Sequence, residues 1–204
     1  LLPQHTTARY FSTGLAARLL PEKSRRVNSF YRRYFLFSPK KEYLRKLIIT
    51  DQTRKTMEEW LSRTRLLLGD AAIERLQHAH VMVVGVGGVG AYATEMIVRA
   101  GVGRLTIVDG VTVAERNLNR QLGALHSTLG KPKTEVLATR LLDINPGLQL
   151  TAEQRYLEVD DIPALLEREP ADFVTDAIDT LAPKIALITY CLRHKIRIVS
   201  SMGA

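Results

Sequence analysis

Short apolar runs alternate with helix-period segments from residue 79 onward, and predict an α/β fold: a mainly parallel sheet with helices on both faces. Two observations carry this expectation. Val81 to Val84 is an unbroken apolar run rich in β-branched residues, as expected of a strand buried on both sides. Gly85-Val86-Gly87-Gly88-Val89-Gly90 follows at once and opens a helix. That strand–turn–helix order makes the class Rossmann-like.

The elements read in order. Ala71 to Ala79 places Ala72, Ile73, Leu76 and Ala79 on one helical face, with Asp70 set to cap it. After the first strand, a helix from Val89 to Arg99 ends at Gly101. Leu105 to Val108 is the second strand. Lys133 to Leu142 is helical and is stopped by Asn145-Pro146. Leu148 to Thr151 is a weaker strand, Ile162 to Arg168 a short helix and Phe173 to Ile178 a strand. Pro183 to His194 is a helix and Ile196 to Ser200 the last strand. Short connections imply right-handed crossovers, and ligands of such sheets bind at the carboxyl ends of the strands. Ala204 follows closely on a strand that would be left as an uncovered edge, so the domain is expected to be truncated at the C-terminus. A start at Leu1 rather than methionine suggests a cut at that end too, so the chain is expected to be a fragment of a longer protein.

Composition divides the chain. The net charge is +8, yet residues 1–56 hold 13 Lys plus Arg against 3 Asp plus Glu, and residues 57–204 hold 16 against 18. The basic excess belongs to the first segment, so it is no argument that the folded domain binds nucleic acid. We expect 1–56 to be a poorly ordered extension and 57–204 the domain proper, with Met57 a natural start. Three readings of the extension stand: no function, a mitochondrial transit segment that is Arg- and Ser-rich, or an RNA arm in which Phe30-Tyr31-Arg32-Arg33-Tyr34-Phe35 interleaves aromatics with guanidinium groups. No apolar run is long enough to span a bilayer. The single cysteine, Cys191, fits a reducing compartment such as the cytoplasm and cannot alone build a zinc site. It lies mid-helix among apolar residues and reads as a small core residue; His126 and His194 read as surface or capping residues.

Four signals carry chemistry. Glycines 85, 87, 88 and 90 permit a tight turn and close backbone approach to a nucleotide, and Asp109 at the end of the next strand suits ribose hydroxyls. This pair fits a dinucleotide equally well. Asn117-Leu118-Asn119-Arg120-Gln121 follows, where Arg120 offers a rigid fork for phosphate oxygens and Asn117 an uncharged donor. The plain alternative is a solvated polar loop. Lys133, read as one turn inside its helix, can reach back to a triphosphate; a solvated lysine is the alternative, although a cation is disfavoured there. Asp179, just past a strand, is a carboxylate for the Mg²⁺ that accompanies a triphosphate, whereas Asp176 reads as pointing out and structural.

Taken together, Gly85 to Gly90, Asp109, Asn117 to Gln121, Lys133 and Asp179 resemble the ubiquitin-activating-enzyme-like superfamily of carboxylate-adenylating enzymes. Ala177-Ile178-Asp179, Pro183-Lys184 and Ser200-Ser201-Met202-Gly203-Ala204 are most similar to its tRNA threonylcarbamoyladenosine dehydratase branch. The resemblance covers residues 81–204 and leaves 1–56 out. It implies ATP and Mg²⁺ as cofactors, with Asp109 on the ribose, Asn117, Arg120 and Lys133 on the phosphates, Gln121 among the other ATP-binding residues and Asp179 on the metal. Ser62-Arg63-Thr64 resembles an arginine motif lent to a partner subunit, so Arg63 would act across a homodimer. Val111 stands where the superfamily often has a second acid. The implied substrate is tRNA, whose modified adenosine is adenylated on its carboxylate and then cyclised with loss of AMP. A ubiquitin-like sulfur carrier adenylated at its C-terminus is the alternative. A nicotinamide-dependent oxidoreductase is the alternative of another class; it uses the glycines and Asp109 and leaves Arg120, Lys133 and Asp179 without a role.

Overall fold

A computed structural model of the chain describes residues 59–201. The expectations for residues 1–56, and for the boundary at residue 57, lie outside the described residues. Two short helices come first, α1 (Ser62–Leu68) and α2 (Asp70–His78). The alternation then runs β1 (His80–Val84), α3 (Gly90–Arg99), β2 (Arg104–Val108), α4 (Lys133–Ile144), β3 (Gln149–Glu153), α5 (Asp161–Arg168), β4 (Phe173–Asp176), α6 (Leu181–Arg193) and β5 (Arg197–Ser200). Every expected strand and helix is present, with ends shifted by a few residues.

The five strands pair in the order β3-β2-β1-β4-β5, all parallel. The register sets Val84 opposite both Val108 and Asp176, Val108 opposite Glu153, and Asp176 opposite Ser200. These five last residues therefore form one row, and the loops that follow them all leave one end of the sheet. The chain winds outward from β1 through β2 to β3, then returns to β1's other side as β4. Between β1 and β4 the loops diverge, which is where an open parallel sheet leaves a crevice for a ligand.

All five residues of β1 are buried, because their side chains alternate between two cores. Val81 and Val83 face α3 and α4, meeting Val98, Leu137 and Leu141. Met82 and Val84 face α5 and α6, meeting Ile162, Leu165 and Leu187. Helices thus cover both faces. Among the described residues no helix is long and apolar enough to cross a membrane.

Two local readings need correction. Asp70 does not cap α2 but begins it; Gly69, at φ +79°, occupies the capping position, and Asp70 pairs with Arg65 at 2.9 Å instead. Helix α1 has no counterpart in the apolar periodicity. Leu61 just before it is buried, while Leu66 and Leu67 are more than four-fifths exposed, so α1 shows no buried stripe for a period search to find.

Candidate active site

The turn after β1 is built by close approach. A Cβ at Gly90 would fall 1.8 Å from the Gly85 carbonyl oxygen, and one at Gly85 would fall 2.5 Å from the Ala177 carbonyl oxygen. Gly85 also holds φ at +87°, a region that L side chains rarely adopt. The glycine turn is therefore pressed against the loop that follows β4, the one that carries Asp179. Directly after the turn α3 starts, so its free N–H groups and positive dipole end open at this place.

Asp109 closes the next side. Its Oδ2 accepts the Val86 N–H and its Oδ1 the Val111 N–H, both at 2.8 Å. These bonds bind the ends of β1 and β2 together and fix the carboxylate, whose remaining lone pairs are the acceptors a ribose diol requires. Val111, which stands where the superfamily often has a second acid, contributes its backbone N–H to Asp109.

Asn117 is buried at the end of a single 3₁₀ turn (Glu115–Asn117). Its Oδ1 accepts the Ala114 N–H at 2.9 Å, and its carbonyl accepts the N–H groups of Arg120 and Gln121 at 3.1 and 2.9 Å. The asparagine thereby anchors the two side chains that reach the glycine turn. The Arg120 stem passes over Gly88, with Cγ 3.7 Å from where a Cβ would stand, and the Gln121 Nε2 lies 3.7 Å from the same point on Gly87. Arg120 is exposed, its Nη1 donating to the Arg116 carbonyl and to Asn119 Oδ1, both at 2.9 Å.

Lys133 is the first residue of α4, not one turn inside it; Pro132 precedes it at the capping position. Its N–H donates to the Val111 carbonyl at 3.1 Å, and its side chain shares a small cavity with Val86, Gln121 and Leu137. A cation at a helix N-terminus is unfavourable on its own. Asp179 is exposed on the loop after β4, with the Thr180 hydroxyl beside it at 3.4 Å. An accessible carboxylate suits Mg²⁺, which is held by one or two carboxylates together with phosphate oxygens and water.

Asp176 does not point outward. It is fully buried, with Oδ2 accepting Lys184 Nζ and the Ser200 hydroxyl at 2.6 Å each and Oδ1 accepting the Ile178 N–H at 3.0 Å. Lys184 also donates to the Ser201 carbonyl at 2.8 Å. This network underlies the Asp179 loop and was not foreseen. Burial pushes the Cys191 thiol up to about 11, with the Asp176 charge adding to it, so the thiol stays protonated.

Arg63 is not among the residues brought together here. It is exposed on α1, and Leu61 just before that helix packs on Gly101, past the carboxyl end of α3. Helix α3 spans roughly 15 Å at 1.5 Å per residue, so α1 is docked at the far end from the glycine turn. The wider groove on the described residues also lies away from the turn, between α2 and the starts of β4 and β5. Leu68, Leu76, Phe173 and Arg197 line it, and no residue of the glycine turn is among its walls.

A parallel sheet with a glycine turn, a helix N-terminus and a fixed carboxylate at its switch point defines a nucleotide-binding domain of Rossmann type. The chain belongs to the ThiF family, which it matches over residues 61–204. It is similar to the tRNA threonylcarbamoyladenosine dehydratase of Bacillus subtilis, 41% identical over 143 residues that cover 70% of this chain and 56% of the relative. It is 35% identical over 127 residues to the molybdopterin-synthase adenylyltransferase of Escherichia coli, covering 62% of this chain and 50% of that one. The fold matches the crystal structure of the E. coli threonylcarbamoyladenosine dehydratase in complex with ATP at a TM-score of 0.70 and 39% identity, over 72% of this chain and 60% of that chain. The chain spans about half the length of the curated relatives it matches.

Proposed function

We propose that the chain is the ATP-binding part of a tRNA threonylcarbamoyladenosine dehydratase. The observation that carries this reading is the placement of Arg120 and Gln121 beside the glycine turn, together with Lys133 and Asp179, which a hydride-transfer site leaves without a role. The similarity to dehydratases named for this reaction supports the substrate.

On this reading Asp109 holds the ribose, and Asn117, Arg120, Gln121 and Lys133 surround the phosphates. Asp179 would hold Mg²⁺, which when bound supplies positive charge at the phosphate oxygens. A carboxylate is a poor electrophile at neutral pH. The substrate carboxylate attacks the α-phosphorus and expels pyrophosphate, giving a mixed anhydride with AMP. Negative charge grows on the phosphorus oxygens in the transition state, and Arg120 and Lys133 stabilise it. A neighbouring ureido atom of the modified adenosine then attacks the acyl carbon, expels AMP and closes the ring, for a net loss of water. No side-chain nucleophile takes part, in keeping with a protonated, buried Cys191.

The active unit on this reading is a homodimer, with Arg63 supplied to the partner's ATP. Its place on α1, at the far end of its own sheet, favours action in trans over action in cis. The reaction takes place in the cytoplasm, or in the mitochondrion if residues 1–56 are a transit segment. The second reading, adenylation of a sulfur-carrier C-terminus, uses the same ATP residues and draws on the likeness to the molybdopterin-synthase enzyme.

Calorimetric titration with ATP–Mg²⁺ and with NADH tests the assignment. ATP is expected to bind and NADH not to; tight NADH binding with none for ATP overturns it. Mixing tests Arg63. Arg63→Ala and Arg120→Ala proteins are each expected to be inactive, and their heterodimers to regain one good site. Confirmed subunit exchange without recovery removes Arg63 from the site.

A further inference from the structure

The buried ion pair of Asp176 and Lys184 takes no part in the chemistry above. The two residues stand eight apart, and the segment between them holds the loop that carries Asp179. Asp176 ends β4 and Lys184 lies in the first turn of α6, so their side chains close this loop across its base at 2.6 Å. The loop is tied again inside that bridge. The Ala177 N–H donates to the Val84 carbonyl at 2.8 Å, the Ile178 N–H to Asp176 Oδ1 at 3.0 Å, and the Lys184 N–H to the Thr180 carbonyl at 3.3 Å. Asp179 stands between these ties. The Ala177 carbonyl oxygen also presses on Gly85, so a displaced loop would meet the glycine turn.

The bridge is fixed from the next strand as well. Lys184 Nζ donates to Asp176 Oδ2, to the Ser201 carbonyl at 2.8 Å and to the Ser200 hydroxyl at 3.4 Å, so each of its three N–H groups has an acceptor. The Ser201 N–H returns to the Asp176 carbonyl at 2.8 Å. These acceptors come from two strand ends, and together they set where α6 begins. Stability alone is a poor reason for such a pair. Burying two charges costs about as much as their attraction returns, and apolar residues of similar volume often serve as well. What the pair adds is a defined arrangement of the loop it closes.

We propose that Lys184 is a positioning residue for the metal ligand: by bridging to Asp176 across the base of the loop, it sets where the Asp179 carboxylate stands. This rests on the ATP–Mg²⁺ reading above and deepens it. Lys184 acts here through the backbone and not on the metal itself. Mg²⁺ demands near-ideal octahedral geometry and takes few protein ligands, so a carboxylate that wanders holds it poorly. Groups that orient a metal's ligands typically govern metal affinity by about ten- to hundredfold.

The test titrates Mg²⁺ into the full chain with ATP bound, and measures ATP affinity without Mg²⁺ beside it, both by calorimetry. Asp179→Ala sets the scale for a lost metal ligand. Lys184→Met strands the Asp176 charge and can unfold the chain, so a double variant carrying Asp176→Leu and Lys184→Met, which removes both charges, is compared with it. The double variant is expected to fold with a nearly unchanged melting temperature and to bind metal-free ATP like the unchanged chain. It is expected to need about ten- to hundredfold more Mg²⁺ for half-saturation. A double variant that takes up Mg²⁺ like the unchanged chain overturns the proposal. So does one that loses metal-free ATP as severely as Mg²⁺, or that fails to fold, because the pair would then serve stability alone. If Asp179→Ala itself leaves Mg²⁺ half-saturation unchanged, the metal reading falls, and the positioning role with it.

Discussion

Lys184 Nζ lies 2.6 Å from Asp176 Oδ2, and both side chains are buried beneath the loop that carries Asp179. The Ser200 hydroxyl and the Ser201 carbonyl complete the arrangement, so the end of β4, the first turns of α6 and the end of β5 are joined through one ion pair. Removing one partner strands the other's charge in a dry interior. Lys184→Met and Asp176→Asn are each expected to cost about 3–5 kcal/mol of stability in chemical denaturation. A loss below about 1 kcal/mol, the range of exposed pairs, would show that the pair is solvated and does not brace the loop.

Gly90→Ala is expected to disturb the site more than an ordinary helix glycine would. Elsewhere in a helix alanine stabilises, but here its Cβ would meet the Gly85 carbonyl oxygen at 1.8 Å. Overpacking of this kind costs about 1–3 kcal/mol and displaces the turn. The check is a melting curve with an ATP titration: lower stability together with weaker binding is expected, and a gain in stability counts against the close approach.

Cys191 is expected to resist alkylation in the native state at pH 8, since burial holds its thiol near 11, and to react fast once the chain is unfolded. Rapid native-state labelling would reopen a covalent role for it.

Acid stability has a definite origin between α3 and α4. The buried Glu95 carboxylate accepts Arg140 Nε at 2.6 Å and Arg99 Nε at 2.8 Å. The Arg140 hydrogen bond, aided by Arg99, holds its carboxyl below the ordinary value although burial acts the other way. A depressed folded-state value means stabilisation that is present above the unfolded value, about 4.3, and is lost as pH falls through the folded one. Glu95→Gln should therefore lower Tm at pH 7 and flatten the fall of Tm below about pH 4. Parallel Tm–pH curves for the two proteins would contradict this.

The periodic parts of the chain announced themselves, and the parts made by tertiary contact did not. β1 and the glycine turn were legible because a buried parallel strand must be continuously apolar, and because Gly85 and Gly90 stand where no Cβ fits. Asp109 was legible from its place at a strand end. The Asp176–Lys184 pair was not, because two charges eight residues apart show nothing of the shared burial that joins them. The helix start at Lys133 was legible from its period, while the reading of Lys133 as one turn inside that helix was wrong, since Pro132 directly precedes it at the capping position.

The most direct test of the central claim is the product pair formed when ATP is consumed in the presence of tRNA bearing threonylcarbamoyladenosine. Attack at the α-phosphorus predicts AMP and pyrophosphate in equal amounts, with Arg120→Ala slower by about 10²- to 10³-fold while still folded. ADP and inorganic phosphate as products, or Arg120→Ala turning over at the unchanged rate, would contradict it.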